Sequence, residues 1–428
     1  MTPRLPCLLA APPSPRGRLW LTNARLFDGT GAPARDGAAV LVEGDTIARV
    51  GRADETPPGD ARTIDLGGRT LMPGLIDAHA HVYAHVPTPA HGAEPTRPGT
   101  AAHFVAADLR EALRMGITTI RDVGSYGDTV VEARQAMRYG AFRGPRLLTC
   151  GRIVAATSPG GRFFDGMYRE ADGPDDVRRA VREQLRVGAD FIKVMTTGAR
   201  SVELEDPDPA QMTREEVATL VEESHRMGYR VAAHCEGLAG TVLAIEAGAD
   251  TIEHGMYLNQ RPDLLERMAA AGQVLVPTFG SFYAVAGVDD PELPSERWAQ
   301  PLVDLAVHNI EQADRTLKAA RAAGMKIASG HDWSPLSDLG IEILRMVHHG
   351  LEAGEALVAS TRVAAEALAL GDVVGTVEPG KLADLVVVDG DPVEQPARLR
   401  DRDRIWLVLQ LGEPVAGAAL ERSAAQLS

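Results

Sequence analysis

Six ionisable side chains lie at or near the ends of short apolar segments of this 428-residue chain, and their types suit metal binding. They are His79, His81, Lys193, His234, His254 and Asp332. His79 and His81 are two residues apart, so on a strand both side chains project from the same face and form a chelating pair. Imidazole and carboxylate ligands at this density suit zinc, iron, cobalt or manganese. The six residues therefore predict a metal site.

Lys193 is the exception in this set, because an ammonium group repels a cation. If its amine captures CO2, it becomes a carbamate, an anionic ligand whose two oxygens can bridge two metal ions. A lone histidine is more often structural, but the coincidence of all six residues at strand ends favours metal binding. Asp77 and Asp122 fit two roles equally well, as carboxylates that orient metal ligands or as hydrogen-bond partners at strand ends.

A repeated sequence pattern places these residues on strands. An amphipathic run, a glycine and a short β-branched strand recur six times, in MGITTIRDVG (115–124), VGADFIKVMTTG (187–198), MGYRVAAHCEG (227–237), AGADTIEHG (247–255), AGQVLVPTFG (271–280) and AGMKIASGHD (323–332). LMPGLIDAHAH (71–81) and PRLLTCGRIV (145–154) add two strands. Eight βα units indicate an α/β fold, either a (β/α)8 TIM barrel or a doubly wound sheet. No Gly-x-Gly-x-x-Gly follows the first strand, so a dinucleotide-binding sheet has no support.

The two chain ends have a different pattern. Residues 18–70 and the region from 375 onward alternate short strands with turns, and neither half can bury a sheet face alone. We predict one small β-sandwich domain composed of residues 18–70 and 375–428, with the barrel inserted as residues 71–374. We expect residues 1–17 to be a disordered tail or the product of an overlong start assignment.

Composition excludes several functional classes. Apolar residues make up 45% of the chain and charged residues 24%, as in ordinary globular proteins. Acidic residues outnumber basic ones by 59 to 44, and a net charge of −15 would repel nucleic acid and anionic lipids, so neither is an expected partner. Three cysteines without a Cys-x-x-Cys pair exclude a disulfide framework and favour a cytoplasmic location.

Several motifs together resemble the amidohydrolase superfamily of binuclear metal type. GLIDAHAH, ADFIKVMTTG, VAAHCEG, DTIEHG and GKLADLVVVDGD are similar to its imidazolonepropionase-related branch, which includes metal-dependent Xaa-Pro dipeptidases (prolidases). The resemblance covers roughly residues 18–415. It implies a (β/α)8 barrel with a β-sandwich, a small-molecule substrate and two divalent metal ions, Zn2+ in our expectation. Whether the protein forms a homo-oligomer stays open.

The resemblance also implies a role for each ligand. The implied assignment is His79, His81 and Asp332 on a buried metal, His234 and His254 on a more exposed metal, and the carbamate of Lys193 on both. A hydroxide bridging the metals would attack an amide carbonyl. Asp332 would take its proton and pass it to the leaving amine. Tyr257, three residues after His254, would bind an oxygen or carboxylate of the substrate.

Two departures from the family pattern bear on the substrate. The loop ATSPGGRFFDG (156–166) lacks the histidine usual there, and His331-Asp332-Trp333 replaces Thr-Asp-Ala, which places an indole near the site. His331 itself should point away from the metals, and we expect it either to pack in the core or to contact a residue that binds a metal. Arg162 is either solvated or a partner for a substrate carboxylate. Dipeptides and N-acyl amino acids are the first expectation, and bulkier or aromatic amides, carbamates and ureas stay open.

Two other functions are open. A ring aminohydrolase, such as imidazolonepropionase or a deaminase, generally lacks the lysine and has a glutamate three residues after the fifth-strand histidine. This chain has Lys193, and that position is Gly237, with Glu236 expected to face away. A non-catalytic scaffold would have lost metal ligands, and none is missing, so it is the least favoured alternative.

Overall fold

The computed structural model describes residues 17–83, 96–202, 204–288, 299–332 and 335–425. The expected tail at residues 1–17 therefore lies almost wholly outside the described residues, as does Trp333. The strands are β1 (Arg18–Leu26), β2 (Arg35–Glu43), β3 (Thr46–Arg52), β4 (Arg62–Asp65), β5 (Thr70–Pro73), β6 (Leu75–Ala80), β7 (Ile117–Asp122), β8 (Arg146–Thr149), β9 (Ile153–Ala155), β10 (Tyr168–Glu170), β11 (Ile192–Met195), β12 (Val231–Cys235), β13 (Thr251–His254), β14 (Val274–Val276), β15 (Lys326–Ile327), β16 (Leu385–Val388), β17 (Ile405–Gln410) and β18 (Glu413–Ala416).

Helices follow most of the central strands. They are α1 (Pro98–Arg114), α2 (Thr129–Arg138), α3 (Pro159–Phe163), α4 (Pro174–Val187), α5 (Arg214–Arg226), α6 (Leu238–Ala247), α7 (Pro262–Ala271), α8 (Phe279–Ala286), α9 (Gln300–Ala322), α10 (Leu339–His348), α11 (Ala353–Val358), α12 (Ala364–Ala367) and α13 (Ala418–Ala425). Glycines in the left-handed conformation end α4, α6 and α7, as the repeated sequence pattern predicts.

The central strands form two parallel sheets. One has the order β6-β7-β8 and the other β10-β9-β11-β12-β13-β14-β15. Their residues are buried on both faces in β6 to β8 and β11 to β14, which is typical of parallel sheets covered by helices. Backbone hydrogen bonds continue past the sheet ends: Ala78 donates to Ser329 (3.0 Å), Asp332 to His79 (2.8 Å) and Asp190 to Thr149 (2.8 Å).

A separate eight-stranded sheet combines both ends of the chain. Its order is β18-β17-β16-β5-β1-β2-β3, with β4 paired to β1. Strand β16 lies antiparallel to β5, so residues from near the carboxyl terminus complete a sheet begun by the first strands. This sheet has its own apolar core, which includes Leu21, Val40, Leu71 and Val387. The fold is thus mixed α/β, with parallel sheets and a separate sheet, as predicted.

Two predicted strands are each divided in the structure. LMPGLIDAHAH becomes β5 in the separate sheet and β6 in the parallel sheet, with Gly74 between them. A Cβ at Gly74 would lie 2.1 Å from the Thr118 hydroxyl, so only glycine allows this close passage from one sheet to the other. PRLLTCGRIV likewise becomes β8 and β9, which belong to different parallel sheets.

Candidate metal centre

The six predicted ligands come from five places on the parallel strands. The residues are His79 at the end of β6, His81 just after it, Lys193 in β11, His234 in β12, His254 at the end of β13, and Asp332 in the segment after β15. Parallel strands deliver their carboxyl ends to one edge, so these side chains meet there. All six line one cavity.

Asp332 lies between His79 and His81. Its Oδ1 is 3.2 Å from Nε2 of His79 and 3.4 Å from Nε2 of His81. Burial alone would raise the pKa of the Asp332 carboxyl, but the neighbouring histidines outweigh burial and hold this pKa well below its ordinary value. Asp332 is therefore an ionised carboxylate that faces two ring nitrogens.

The other ring nitrogen of each of these histidines is already occupied. Nδ1 of His79 donates to the Glu253 carboxylate at 2.6 Å, and Nδ1 of His81 donates to the carbonyl oxygen of Gly124 at 2.7 Å. The Nε2 lone pairs thus point at an anionic acceptor, and a proton or a metal ion must lie between them. Histidine ligands of metals characteristically donate their second nitrogen to a carboxylate or a carbonyl.

His234 and His254 face one another in the same way. Nδ1 of His234 lies 2.9 Å from Nε2 of His254. Nε2 of His234 donates to the carbonyl oxygen of Gly198 (3.2 Å), while the Thr278 hydroxyl donates to Pro277 and so accepts from Nδ1 of His254 (2.6 Å). Each of the two nitrogens that face each other therefore carries a lone pair and no proton.

A proton is poorly suited to this second position. Burial lowers the pKa of His254 to about 3 and holds the pKa of His234 well below its ordinary value. Both imidazoles are neutral at physiological pH, which is the form that binds metals. Oδ2 of Asp332 is 3.9 Å from Nδ1 of His254, so the two groups of ligands adjoin. The donor set fits divalent metal ions.

Lys193 is buried beside these groups, with 2% of its surface exposed. Burial lowers the pKa of its ammonium, although Glu253 and Asp332 act in the opposite direction. Burial therefore favours the neutral amine, which is the form that can react with CO2.

Glu253 is a candidate functional residue that was missed in the sequence. It is fully buried and accepts from His79, from the Arg121 guanidinium (2.8 Å) and from the Thr251 hydroxyl. Arg121 and His79 hold the pKa of its carboxyl low against the effect of burial. Strand alternation contained a signal, because Thr251 and Glu253 are two residues apart in DTIEHG and must share a face.

The structure assigns both carboxylates whose roles were open. Oδ1 of Asp77 accepts from the backbone N–H groups of His79 and His331, at 3.1 and 3.2 Å. Asp122 accepts from the backbone of Val82, from the Thr149 hydroxyl at the end of β8 and from the Ser125 hydroxyl just after its own strand. Both are hydrogen-bond partners at strand ends, and Asp77 also fixes the backbone beside a predicted ligand.

The expectation that Glu236 faces away from the site is wrong. Its carboxylate lies 3.7 Å from Nε2 of His234 and lines the cavity. Strand β12 ends at Cys235, so the alternation of side chains does not extend to Glu236, and the turn directs it inward. Burial raises the pKa of this carboxyl to about 7. Among the described residues, His234, Glu236 and His254 form one of two groups whose ligand atoms lie within 4.8 Å; the other is His79, His254 and Asp332.

The structure also shows the surroundings of Tyr257, which was predicted to contact the substrate, and of Arg162 and His331, whose roles were left open. Tyr257 is not among the described residues that line the cavity; its ring lies 5.5 Å from the guanidinium carbon of Arg200. Arg162 is exposed on α3 and does not line the cavity either. His331 is buried, with Nδ1 3.9 Å from Asp77. Arg200 follows β11 and does line the cavity, although no sequence motif indicated it.

The cavity has a volume of about 240 Å³ and an aromatic wall. Much of this wall comes from the loop after β9 and from the segments that lie beside this loop. The aromatic residues of the wall are Tyr83, Tyr126, Phe164, Tyr168 and Phe282. Glu205 fastens this loop, because it accepts from the Ser158 hydroxyl and from the backbone of Gly160, both at 2.7 Å. A cavity with an apolar wall and polar groups at one end is typical of small-molecule sites.

The fold and this cluster define an α/β protein with a histidine-rich candidate metal centre at the carboxyl edge of its parallel strands. The chain belongs to the amidohydrolase family, whose model matches residues 70–415. It is therefore a hydrolase that acts on carbon–nitrogen bonds. Among the described residues, no helix combines the length and apolarity that crossing a bilayer requires.

Named relatives agree with this family. An ochratoxinase from Aspergillus niger is 30% identical over 402 residues, which span 86% of this chain and 80% of the relative. An imidazolonepropionase from Cereibacter sphaeroides is 29% identical, with 89% and 94% covered. The crystal structure of a Xaa-Pro dipeptidase with bound methionine superposes with a TM-score of 0.83 at 26% identity and covers 94% of this chain and all of the other.

Proposed function

We propose that the protein is a binuclear metal amidohydrolase that cleaves the amide bond of a small molecule such as an N-acyl amino acid or a dipeptide. One observation carries the proposal: the lone pairs of four histidine rings converge on one another and on Asp332, beside a buried lysine, under an aromatic cavity. Such a set of acceptors is stable when cations lie among them.

The proposed ligands divide into two groups. One metal ion would be held by His79, His81 and Asp332, the other by His234 and His254, and a carbamate on Lys193 would contribute to both sites. The carbamate forms when the neutral amine of Lys193 attacks CO2 and releases one proton. We propose Zn2+ as the metal, because three or four nitrogen and oxygen ligands suit it.

When bound, the metal ions would polarise the amide carbonyl and lower the pKa of a water molecule at the site to near neutrality. Asp332 is an ionised carboxylate and accepts the proton of the attacking water. It then transfers that proton to the departing nitrogen, which cannot leave as an anion. His79 and His81 keep Asp332 in place, and Glu253 keeps His79 in place.

The cavity supports a substrate with an aromatic or bulky apolar part. Its wall is rich in tyrosine and phenylalanine, and a relative is named an ochratoxinase, so ochratoxin belongs among the test substrates. Tyr257 as a direct contact for the substrate stays a prediction, and so does the role of Trp333. Carbamates and ureas with aromatic groups would fit the same wall and enter the same screen.

Ring aminohydrolysis is the second candidate, and Glu236 favours it. This carboxylate lines the cavity beside His234, one residue before the position at which ring aminohydrolases generally have a glutamate. A relative is named an imidazolonepropionase, which supports testing its ring substrate. A single-metal reaction would not need Lys193, and this difference separates the two candidates.

We also infer that the two parallel sheets together form one (β/α)8 barrel of β6, β7, β8 and β11 to β15. The hydrogen bonds from Ala78 to Ser329 and from Asp332 to His79 support closure beside β15, and the bond from Asp190 to Thr149 supports closure beside β8. The convergence of ligands from β6, β11, β12, β13 and the segment after β15 at one edge also supports a closed ring.

The test is a screen of protein loaded with zinc and bicarbonate against dipeptides, N-acyl amino acids, aryl amides, carbamates, ureas, ochratoxin and the imidazolonepropionase substrate. We expect amine release from amides and about two zinc equivalents per chain. Lys193→Ala should abolish turnover, whereas Lys318→Ala, on the exposed face of α9, should not. Turnover of ring substrates alone, or full activity in Lys193→Ala, would refute the proposal.

A further inference from the structure

We propose that Arg200 binds a free carboxylate of the substrate on the carbon next to the scissile nitrogen, so that amides with an α-carboxylate on their amine half are preferred. This inference rests on the proposed amide hydrolysis. Cations are scarce around the cavity: among the described residues that line it, Lys193 and Arg200 are the lysine and arginine side chains. Lys193 is committed to the metal centre, which leaves Arg200 for an anionic group.

Arg200 is held in place but its donors are incompletely used. Its side chain is 8% exposed, and Nη2 donates to Asp208 at 2.9 Å. Nε lies 3.3 Å from Glu236 in poor alignment, and it has no hydrogen-bond partner although it is buried. The Tyr257 ring packs on the guanidinium group and restricts its orientation. A buried guanidinium with an unused donor costs free energy unless an acceptor arrives.

Glu236 sets the position of Arg200 relative to the metal centre. One of its oxygens accepts from the backbone N–H of Arg200 at 2.9 Å, while the other lies 3.7 Å from Nε2 of His234. A single carboxylate thus separates Arg200 from a proposed metal ligand. This short span matches an α-carboxylate, which one carbon separates from the scissile nitrogen, better than a carboxylate at the end of a long side chain.

Charges around Arg200 do not oppose this role. Asp208 is 71% exposed, so water screens its charge. Glu236 is shared between Arg200 and His234, and a divalent cation on His234 would balance it from the other side. The planar fork of a guanidinium binds a carboxylate through two parallel hydrogen bonds, which lysine does not reproduce.

The aromatic wall determines the best probes. Phenylalanine and phenylalaninol carry the same ring and amine, and they differ by a carboxylate in place of a hydroxymethyl group. We expect calorimetry on zinc-loaded protein to show that phenylalanine binds on the order of ten- to a hundredfold more tightly. Arg200→Met should remove this preference, and Arg200→Lys should retain only part of it. Arg162→Met is the matched control, because Arg162 is exposed outside the cavity, and it should retain the preference in full.

The same comparison applies to catalysis. N-Acetylphenylalanine should be hydrolysed with a higher kcat/KM than N-acetylphenylalaninol, mainly through KM, and Arg200→Met should equalise the two. An unchanged preference in Arg200→Met overturns the role of Arg200 while amide hydrolysis itself stands. No hydrolysis of either compound, or of any other amide, by the wild type defeats the proposed function instead.

Removal of Arg200 also leaves Glu236 buried without its cationic neighbour. The double variant Arg200→Met/Glu236→Gln avoids this uncompensated charge. Zinc content and thermal melting establish that each variant is folded. A carboxylate preference that persists in the folded double variant overturns the inference as well.

Discussion

Replacement of Glu342 by glutamine should change how the stability of the protein depends on pH. Glu342 lies on α10 with no exposed surface, and its carboxyl group accepts from the first two N–H groups of α8, those of Phe279 (2.8 Å) and Gly280 (2.9 Å). The residue before α8 is Thr278, whose hydroxyl accepts from His254. Glu342 therefore anchors the helix next to the proposed metal centre.

Burial raises the pKa of Glu342 from its ordinary 4.5 to about 8, although Arg345 and the two N–H groups act in the opposite direction. Between these values the folded protein keeps a proton that the unfolded chain releases. Stability is therefore fully present below about pH 4.5 and decreases as pH rises toward 8. At about 1.4 kcal/mol per pH unit, this group accounts for a decrease of roughly 5 kcal/mol in the free energy of unfolding.

Glu342→Gln is neutral at every pH and keeps one oxygen that can accept from α8. We expect the free energy of unfolding of the variant, relative to that of the wild type, to rise by up to roughly 5 kcal/mol between pH 4.5 and 9. The assay is urea denaturation of metal-free protein at several pH values, which removes the separate pH dependence of metal binding. A difference between the two proteins that stays constant with pH would refute the reasoning, because it would mean that folding does not raise the pKa of Glu342.

Two further predictions concern the support of His79. Glu253→Gln should weaken zinc binding about 10- to 100-fold in a chelator competition, because His79 loses its charged acceptor; unchanged affinity would show that Glu253 does not orient the ligand. Gly330→Ala should lower both the melting temperature and the zinc content, since its Cβ would lie 2.5 Å from Cβ of His79, whereas Gly354→Ala, which meets nothing within 4 Å, should change neither.

The convergence of the ligands could be predicted from sequence because it depends on two simple regularities. Strand alternation places His79 and His81 on one face, and parallel strands place their carboxyl ends together. Both regularities stop where a strand stops. Glu236 lies one residue beyond β12, where the chain turns, and its orientation was therefore predicted wrongly.

The supporting residues depend on contacts between distant segments, which spacing along the chain does not reveal. Glu253 reaches His79 across 174 residues, and Glu342 reaches Phe279 across 63. The division at Gly74 has a similar origin, because the neighbouring Thr118 leaves no room for a side chain there. The Pro73-Gly74 pair in LMPGLIDAHAH marks a break in the strand, but it does not show that the two halves belong to different sheets.

The passage of β5 into β6 at Gly74 has a consequence for synthesis on the ribosome. Strand β6 carries His79 and leads directly to His81, yet the preceding strand β5 pairs with β16, and the Thr70 hydroxyl donates to the Gly390 carbonyl 320 residues later. A nascent chain therefore exposes one edge of β5 through most of its elongation. Contacts of such long range form slowly and leave unpaired strand edges open to association with other chains. The sheet that joins the two chain ends therefore lacks its carboxyl-terminal strands β16 to β18 until translation is nearly finished.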